Sequence, residues 1–136
     1  MALKFYKCNV CGKIVVEVES TDVTPICCGE PMTLLMPETS DGVLEKHVPV
    51  YDLKGTVICV NVGAKEHPMT DEHHIDFIVL ETNTGFHVRY TFLDEGGENF
   101  PGACFHLNVG EKPVSIVAYC NIHGLYLKDV CKDSCN

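Results

Sequence analysis

The chain has 136 residues, 46% of them hydrophobic and 21% charged, which suits one ordinary domain, or a small module joined to a domain of about 100 residues, and excludes tandem large domains and low-complexity classes. Its 19 acidic and 10 basic residues leave a formal charge of -9, a field that repels nucleic acid and anionic membrane and argues against either as a partner. The amino terminus lacks a signal peptide's apolar stretch and nothing downstream approaches a membrane span, so the expected location is cytoplasmic, where nine cysteines point to metal or redox chemistry more than to a disulfide framework.

The first module runs from Met1 to about Pro37. Cys8-Asn9-Val10-Cys11-Gly12 has the form of a metal knuckle, in which the glycine lets backbone amides turn toward the thiolates. Cys27-Cys28-Gly29 supplies a second pair, and Ile14 to Val18 between them reads as a strand. So short a segment, poor in core residues, needs a staple, and four thiolates on one metal would be that staple. Adjacent cysteines are unusual for a zinc ribbon, whose paired ligands are normally spaced by two or more residues. A zinc ribbon or two disulfides remain the alternatives.

Pro37 to Gly42 consists of turn formers and acids and reads as a linker. After it, apolar and β-branched runs at Val48–Leu53, Thr56–Val62, Ile75–Glu81, Phe86–Phe92, Ala103–Val109 and Val114–Tyr119, with another at Leu125–Lys128, alternate with Gly, Pro, Asn and Asp clusters. Six or seven short strands and no convincing helix predict an all-β protein whose second domain is an antiparallel sandwich of immunoglobulin type. The expected domains are residues 1–37 and 38–136.

Strand alternation sorts the seven histidines. His87 and His106 fall opposite the apolar residues of their runs and read as surface residues. His73 shares a face with Ile75, Phe77 and Val79, whereas His74 falls with Asp76, so His73 is the better ligand and His74 the better surface neighbour. His67 precedes Pro68, which biases it to an extended backbone suited to a ligand held in a loop. His47, His67, His73 and His123 remain, with Cys120 three residues before His123. Four imidazoles could surround a divalent metal with a thiolate on the axis, a donor set that suits Fe(II), Zn or Cu rather than Mg or Ca. For any one of these residues, a satisfied histidine at a strand end is the competing reading.

These motifs together, Cys8-x2-Cys11-Gly12, Cys27-Cys28-Gly29-Glu30-Pro31-Met32, Glu45-Lys46-His47-Val48-Pro49-Val50, His67-Pro68-Met69, His73 and Cys120-Asn121-Ile122-His123-Gly124, resemble desulfoferrodoxin, the two-iron superoxide reductase family, over nearly the whole chain. The resemblance implies two irons: a desulforedoxin-like site held by Cys8, Cys11, Cys27 and Cys28, and a catalytic site held equatorially by His47, His67, His73 and His123 with Cys120 axial. It implies reduction of superoxide to hydrogen peroxide, an external electron donor such as rubredoxin, and a cytoplasmic homodimer. Lys46 is then the attractor of the anion and an organiser of water for protonation, and Glu45 the carboxylate able to occupy the vacant position once iron is oxidised. Two other classes compete: an electron carrier of rubredoxin type, which leaves Lys46 and the four histidines unexplained, and a zinc-ribbon binding module, which would be colourless. Cys59 and Cys104 fall within strands and read as packed thiols, and the tail bearing Cys131 and Cys135 has no assigned role.

Overall fold

The computed structural model describes residues 3–38, 47–94 and 96–130. The chain divides into two compact units, residues 1–36 and 37–136.

In the first unit, β1 (Phe5–Lys7) pairs antiparallel with β2 (Ile14–Val16) on one side and β5 (Thr33–Leu34) on the other, and β3 (Ile26–Cys27) pairs with β4 (Glu30–Pro31). Among the described residues the buried cluster is Tyr6, Cys8 and Met32, with Val15 and Cys27 packed against it, and Phe5 is buried besides. Burying a large side chain contributes about 1.5–3 kcal/mol, while ordering each residue costs about 1–2 kcal/mol of backbone entropy. So small a core cannot hold the unit alone, and the four thiols gathered within it have to supply the difference.

The second unit is a sandwich of two antiparallel sheets. One contains β6 (Pro49–Lys54), β7 (Val57–Val62) and β10 (Gly102–His106) in the order β10-β7-β6; the other contains β8 (Ile75–Thr82), β9 (Gly85–Tyr90), β11 (Pro113–Cys120) and β12 (Gly124–Asp129) in the order β12-β11-β8-β9. Three strands facing four, with sequence neighbours exchanged between sheets, is the immunoglobulin-like arrangement that the run of short apolar segments predicts. Ile58, Val60, Val62, Ile78, Leu80, Phe105, Ile116, Ala118 and Tyr126 fill the space between the sheets.

Three expectations change. Cys59 and Cys104 are not packed thiols: they stand opposite each other in the β7–β10 ladder and are joined by a disulfide. His74 is buried rather than a surface residue, stacked on Phe92 with ring centroids 3.7 Å apart, while its Nδ1 donates to Thr70 O and its Nε2 meets Asp76 Oδ1 at 2.8 Å. On β9 the faces are the reverse of what its apolar residues suggest. Tyr90 and Val88 are turned outward, 74% and 40% exposed, while Arg89 lays its guanidinium over the Phe105 ring and Thr91 is buried, its hydroxyl bonded to Ile75 O. The strand lies at a sheet edge, where long polar side chains cover the core with their stems and still satisfy their tips.

His87, on the same inward row, belongs to a polar cluster around Glu111. The Glu111 carboxylate, 5% exposed, accepts from the Asn108 amide at 3.0 Å, from Thr82 Oγ1 at 2.7 Å and from His87 Nε2 at 2.8 Å. The Asn108 amide first, then Thr82 and His87, hold its pKa down to about 2, against an ordinary 4.5. A carboxyl depressed on folding contributes stability above its unfolded pKa and loses it as the pH falls through the folded one. Glu111→Gln is therefore expected to lower the denaturant midpoint at neutral pH, with the gap to wild type narrowing as the pH falls from about 5 to about 2. Urea melts of both proteins across that window check this; a gap independent of pH would contradict it.

Candidate metal centres

The first centre is built by two tight turns. The Cys11 amide points at Cys8 Sγ at 3.4 Å, and the Gly12 amide closes the turn onto Cys8 O at 2.9 Å, with Gly12 at φ 81°. At the second pair, Cys28 has φ 54° and Gly29 φ 76°. A left-handed conformation is uncommon for a residue with a Cβ, and here it turns two adjacent cysteines toward the same point. All four side chains are free thiols whose sulfurs lie within 4.8 Å of one another, with Cys11–Cys27 at 3.7 Å and Cys27–Cys28 at 3.9 Å. Metal–sulfur bonds of about 2.3 Å in a tetrahedron separate the sulfurs by about 3.8 Å, so the cage fits one thiophilic ion. Its titration is split in the same sense: the Cys11 and Val10 amides bring Cys8 down to about 6, whereas contact with the sulfurs of Cys8 and Cys11 pushes Cys27 up to about 12. Gathering four thiolates thus requires a cation among them.

The second centre lies at one end of the sandwich. β11 and β12 meet in a hairpin whose three-residue loop, Asn121-Ile122-His123, closes with Cys120 opposite Gly124 at φ 94°, a loop length that calls for glycine in the left-handed position. On the other flank the β11–β8 register skips between Tyr119 and Cys120, so that Cys120 faces Ile75. Irregularities of this kind re-aim a strand end. Cys120 is fully buried, and its sulfur stands 3.6 Å from His123 Nδ1.

Four imidazoles form a closed circuit beside it. Ring centroids are 4.5 Å apart for His47–His67, 4.6 Å for His67–His73, 5.1 Å for His73–His123 and 4.7 Å for His123–His47, each pair near edge-to-face, with His47–His73 across the circuit at 6.1 Å. The donor atoms of His47, His73, His123 and Cys120 lie within 4.8 Å of one another, and His123 Nδ1 is 3.1 Å from His47 Nε2. His67 adjoins this group. Its Nδ1 must donate to the Pro68 carbonyl at 2.7 Å, because a carbonyl only accepts, which leaves the Nε2 lone pair buried with no hydrogen-bond partner among the described residues. Burial above all, with the neighbouring imidazoles adding to it, lowers the His67 pKa to about 4, so the ring is neutral and able to ligate. Burial likewise raises the Cys120 pKa, against the His123 and Ile122 amides directed at the sulfur. Lone pairs without protons and a thiol that resists ionisation are what a cation at this point would satisfy. Glu45 and Lys46, the charged residues singled out beside His47, lie outside the described residues.

With both sites in view, comparison with known proteins is decisive. The Desulfoferrodoxin family model matches residues 39–129 and the model for the desulfoferrodoxin N-terminal domain matches residues 2–35. The chain belongs to the desulfoferrodoxin family. It is 40% identical to the desulfoferrodoxin of Syntrophotalea carbinolica and 41% identical to a desulfoferrodoxin homologue of Archaeoglobus fulgidus, each match covering 91% of this chain and 94% of the relative. Among solved structures, the superoxide reductase of Treponema pallidum superposes with a TM-score of 0.79 at 26% identity, over 94% of this chain and 98% of that one. The four-cysteine cage and the His/Cys cluster fit the two irons of a two-iron desulfoferrodoxin.

Some residues of this desulfoferrodoxin's second centre carry no signal of their role in the sequence. Tyr126 stacks on His47 with centroids 4.4 Å apart and is fully buried, the burial pushing its phenol up to about 12. Asn121 sits inside the recognised Cys-Asn-Ile-His stretch, yet its task is visible only in three dimensions. Its Oδ1 accepts from the His74 amide at 2.8 Å, its Nδ2 donates to Glu72 O at 3.0 Å and its own amide bonds His74 O at 3.1 Å. One side chain thereby ties the loop carrying His73 to the hairpin carrying Cys120 and His123. Groups that orient ligands typically matter by about 10–100-fold in metal affinity. Asn121→Ala is expected to weaken iron retention at the His/Cys centre by about tenfold or more while the four-cysteine centre stays filled, which iron counts after graded chelation would reveal; equal loss from both centres would contradict it.

Proposed function

We propose that this chain is a superoxide reductase, carrying out one-electron reduction of superoxide to hydrogen peroxide. The observation that carries this reading is the circuit of four histidines beside buried Cys120, in a chain that aligns over nearly its full length with a solved superoxide reductase. The ligand set of the catalytic iron is His47, His67, His73, His123 and Cys120; Cys8, Cys11, Cys27 and Cys28 hold the second iron. Iron held by these residues would supply the single electron that, together with two protons, converts superoxide to hydrogen peroxide.

The chain's own residues do the rest. His47 and His67 are buried and positioned by Tyr126 and the Pro68 carbonyl, whereas His73 is half-buried and His123 exposed, so the centre meets solvent on the side of the Cys120–Gly124 hairpin and the His73 loop. Cys120 supplies a polarisable thiolate whose donation favours transfer of the electron outward. Lys46 and Glu45, one and two residues before His47 in sequence, are the catalytic pair of charges: the lysine draws in the anion and organises water for protonation, and the glutamate is the carboxylate that would take the vacant position once iron is oxidised. Residues 1–37 are the iron-bearing module and residues 38–136 the catalytic domain. A small electron-donor protein such as rubredoxin restores the reduced state, and the working form is a cytoplasmic homodimer. No helix among the described residues is long and apolar enough to cross a membrane.

Two substitutions test this reading. Cys120→Ser should retain the fold and the four-cysteine centre but abolish superoxide reduction, because a hydroxyl cannot replace the thiolate's donation. Wild-type turnover in an iron-loaded variant would remove Cys120 from the chemistry. With a net charge of -9, fast capture of an anion needs positive potential confined to the mouth of the site, and Lys46 is the side chain best placed in sequence to provide it, ahead of Lys65. Lys46→Ala should slow the second-order step by about tenfold or more, and added salt should depress the wild-type rate more than the variant's. Rate constants measured against ionic strength decide the matter; parallel lines and an equally fast variant would make Lys46 an ordinary surface charge.

A further inference from the structure

The Cys59–Cys104 disulfide takes no part in either metal centre, and its surroundings are those of a reactive bond rather than a buried staple. Both residues belong to the outer face of the β10-β7-β6 sheet, alternating with the core residues Ile58, Val60 and Phe105. Cys104 is exposed and Cys59 half-buried. The two strands do not depend on the bond for their alignment, because the ladder runs in unbroken register from Gly102–Asn61 to His106–Val57 on either side of it. Opening it would expose no core residue.

The two sulfurs are not equivalent. A thiolate displaces sulfur from a disulfide in line, approaching the attacked atom from the side away from the leaving one, so access along that line decides which sulfur is taken. For Cys104 the line comes in over the free flank of β10, an edge strand of its sheet. For Cys59 it comes in over β6, where Asp52 stands directly opposite, its carboxylate paired with Lys54 Nζ at 3.5 Å. Directly opposed side chains on one sheet face lie about 5 Å apart, so the approach to Cys59 is obstructed by the Asp52–Lys54 pair of the neighbouring strand. On the Cys104 side no strand among the described residues pairs with β10.

We propose that Cys59–Cys104 is a thiol–disulfide exchange site at which a low-molecular-weight thiol becomes attached to Cys104. The attacking thiolate forms a bond to Cys104 Sγ as the Cys104–Cys59 bond breaks, and the electron pair leaves on Cys59 Sγ, which takes a proton from water. Attack of the Cys59 thiolate on the mixed disulfide reverses the step and expels the small thiol, so no outside oxidant enters the balance.

The test uses the full-length iron-loaded protein and reduced glutathione under native conditions, with an acid quench, alkylation and peptide mapping. The expected product carries glutathione on Cys104 and the alkylating label on Cys59, favoured over the reverse pattern by at least about tenfold, as attack controlled by access requires. Single variants give an independent reading: the lone Cys104 thiol of Cys59→Ser should react with oxidised glutathione about tenfold faster than the lone Cys59 thiol of Cys104→Ser. Resistance of the bond until denaturant is added, or glutathione distributed equally between the two residues, would overturn the proposal.

Discussion

The constraint on which the catalytic unit depends is the desolvation of the His67 Nε2 lone pair, which has no hydrogen-bond partner among the described residues to replace water. A buried acceptor left without a hydrogen bond costs about 1–3 kcal/mol, and here His67 Nε2 is such an acceptor while His47, His73 and His123 direct ring nitrogens to the same region. Nothing in the packing of a sandwich calls for this. Tyr126 stacked on His47, the Pro68 carbonyl fixing the His67 tautomer and the Asn121 clasp all hold these groups in an arrangement that the polypeptide alone would avoid. The expense makes sense if a cation repays it, and the same cation would convert the buried Cys120 thiol into a thiolate.

The two centres meet this constraint differently. In the first unit the metal stands in for a hydrophobic core, since Phe5, Tyr6, Cys8 and Met32 are the buried hydrophobic residues among those described, and the left-handed Cys28 is backbone strain accepted so that adjacent sulfurs can converge. In the second unit the core is ample and fold and site are separable: Ile58 to Val62, Ile78, Leu80 and Ile116 support the sheets, while the ligands occupy loops and strand ends at one edge. A scaffold that does not need its metal can leave that metal open to a substrate.

Much of this was legible from the chain because periodicity and spacing are local. Turn residues separate the seven strands of the sandwich cleanly, the paired cysteines stand together in sequence, and alternation separates His73, which lies in the donor cluster, from His74, which does not. What escaped depends on the partner across the ladder. Cys59 and Cys104 look like packed thiols until the β7–β10 register brings them face to face. The polar residues of β9 look outward until Phe105, from the other sheet, gives Arg89 a ring to cover and Glu111 gives His87 an acceptor. The burial of His74 has the same origin, since Phe92 and Thr70 make an interior for it that alternation along its own strand cannot reveal.

The central claim, that the His/Cys centre is the place where superoxide is reduced, is tested most directly by stopped-flow mixing of the fully reduced, iron-loaded protein with a pulse of superoxide while peroxide yield and iron oxidation are followed together. The account predicts one peroxide for each catalytic iron oxidised, no dioxygen, and an oxidation phase at the His/Cys centre that precedes any change at the four-cysteine centre. Dioxygen released along with peroxide, or oxidation confined to the four-cysteine centre, would contradict it.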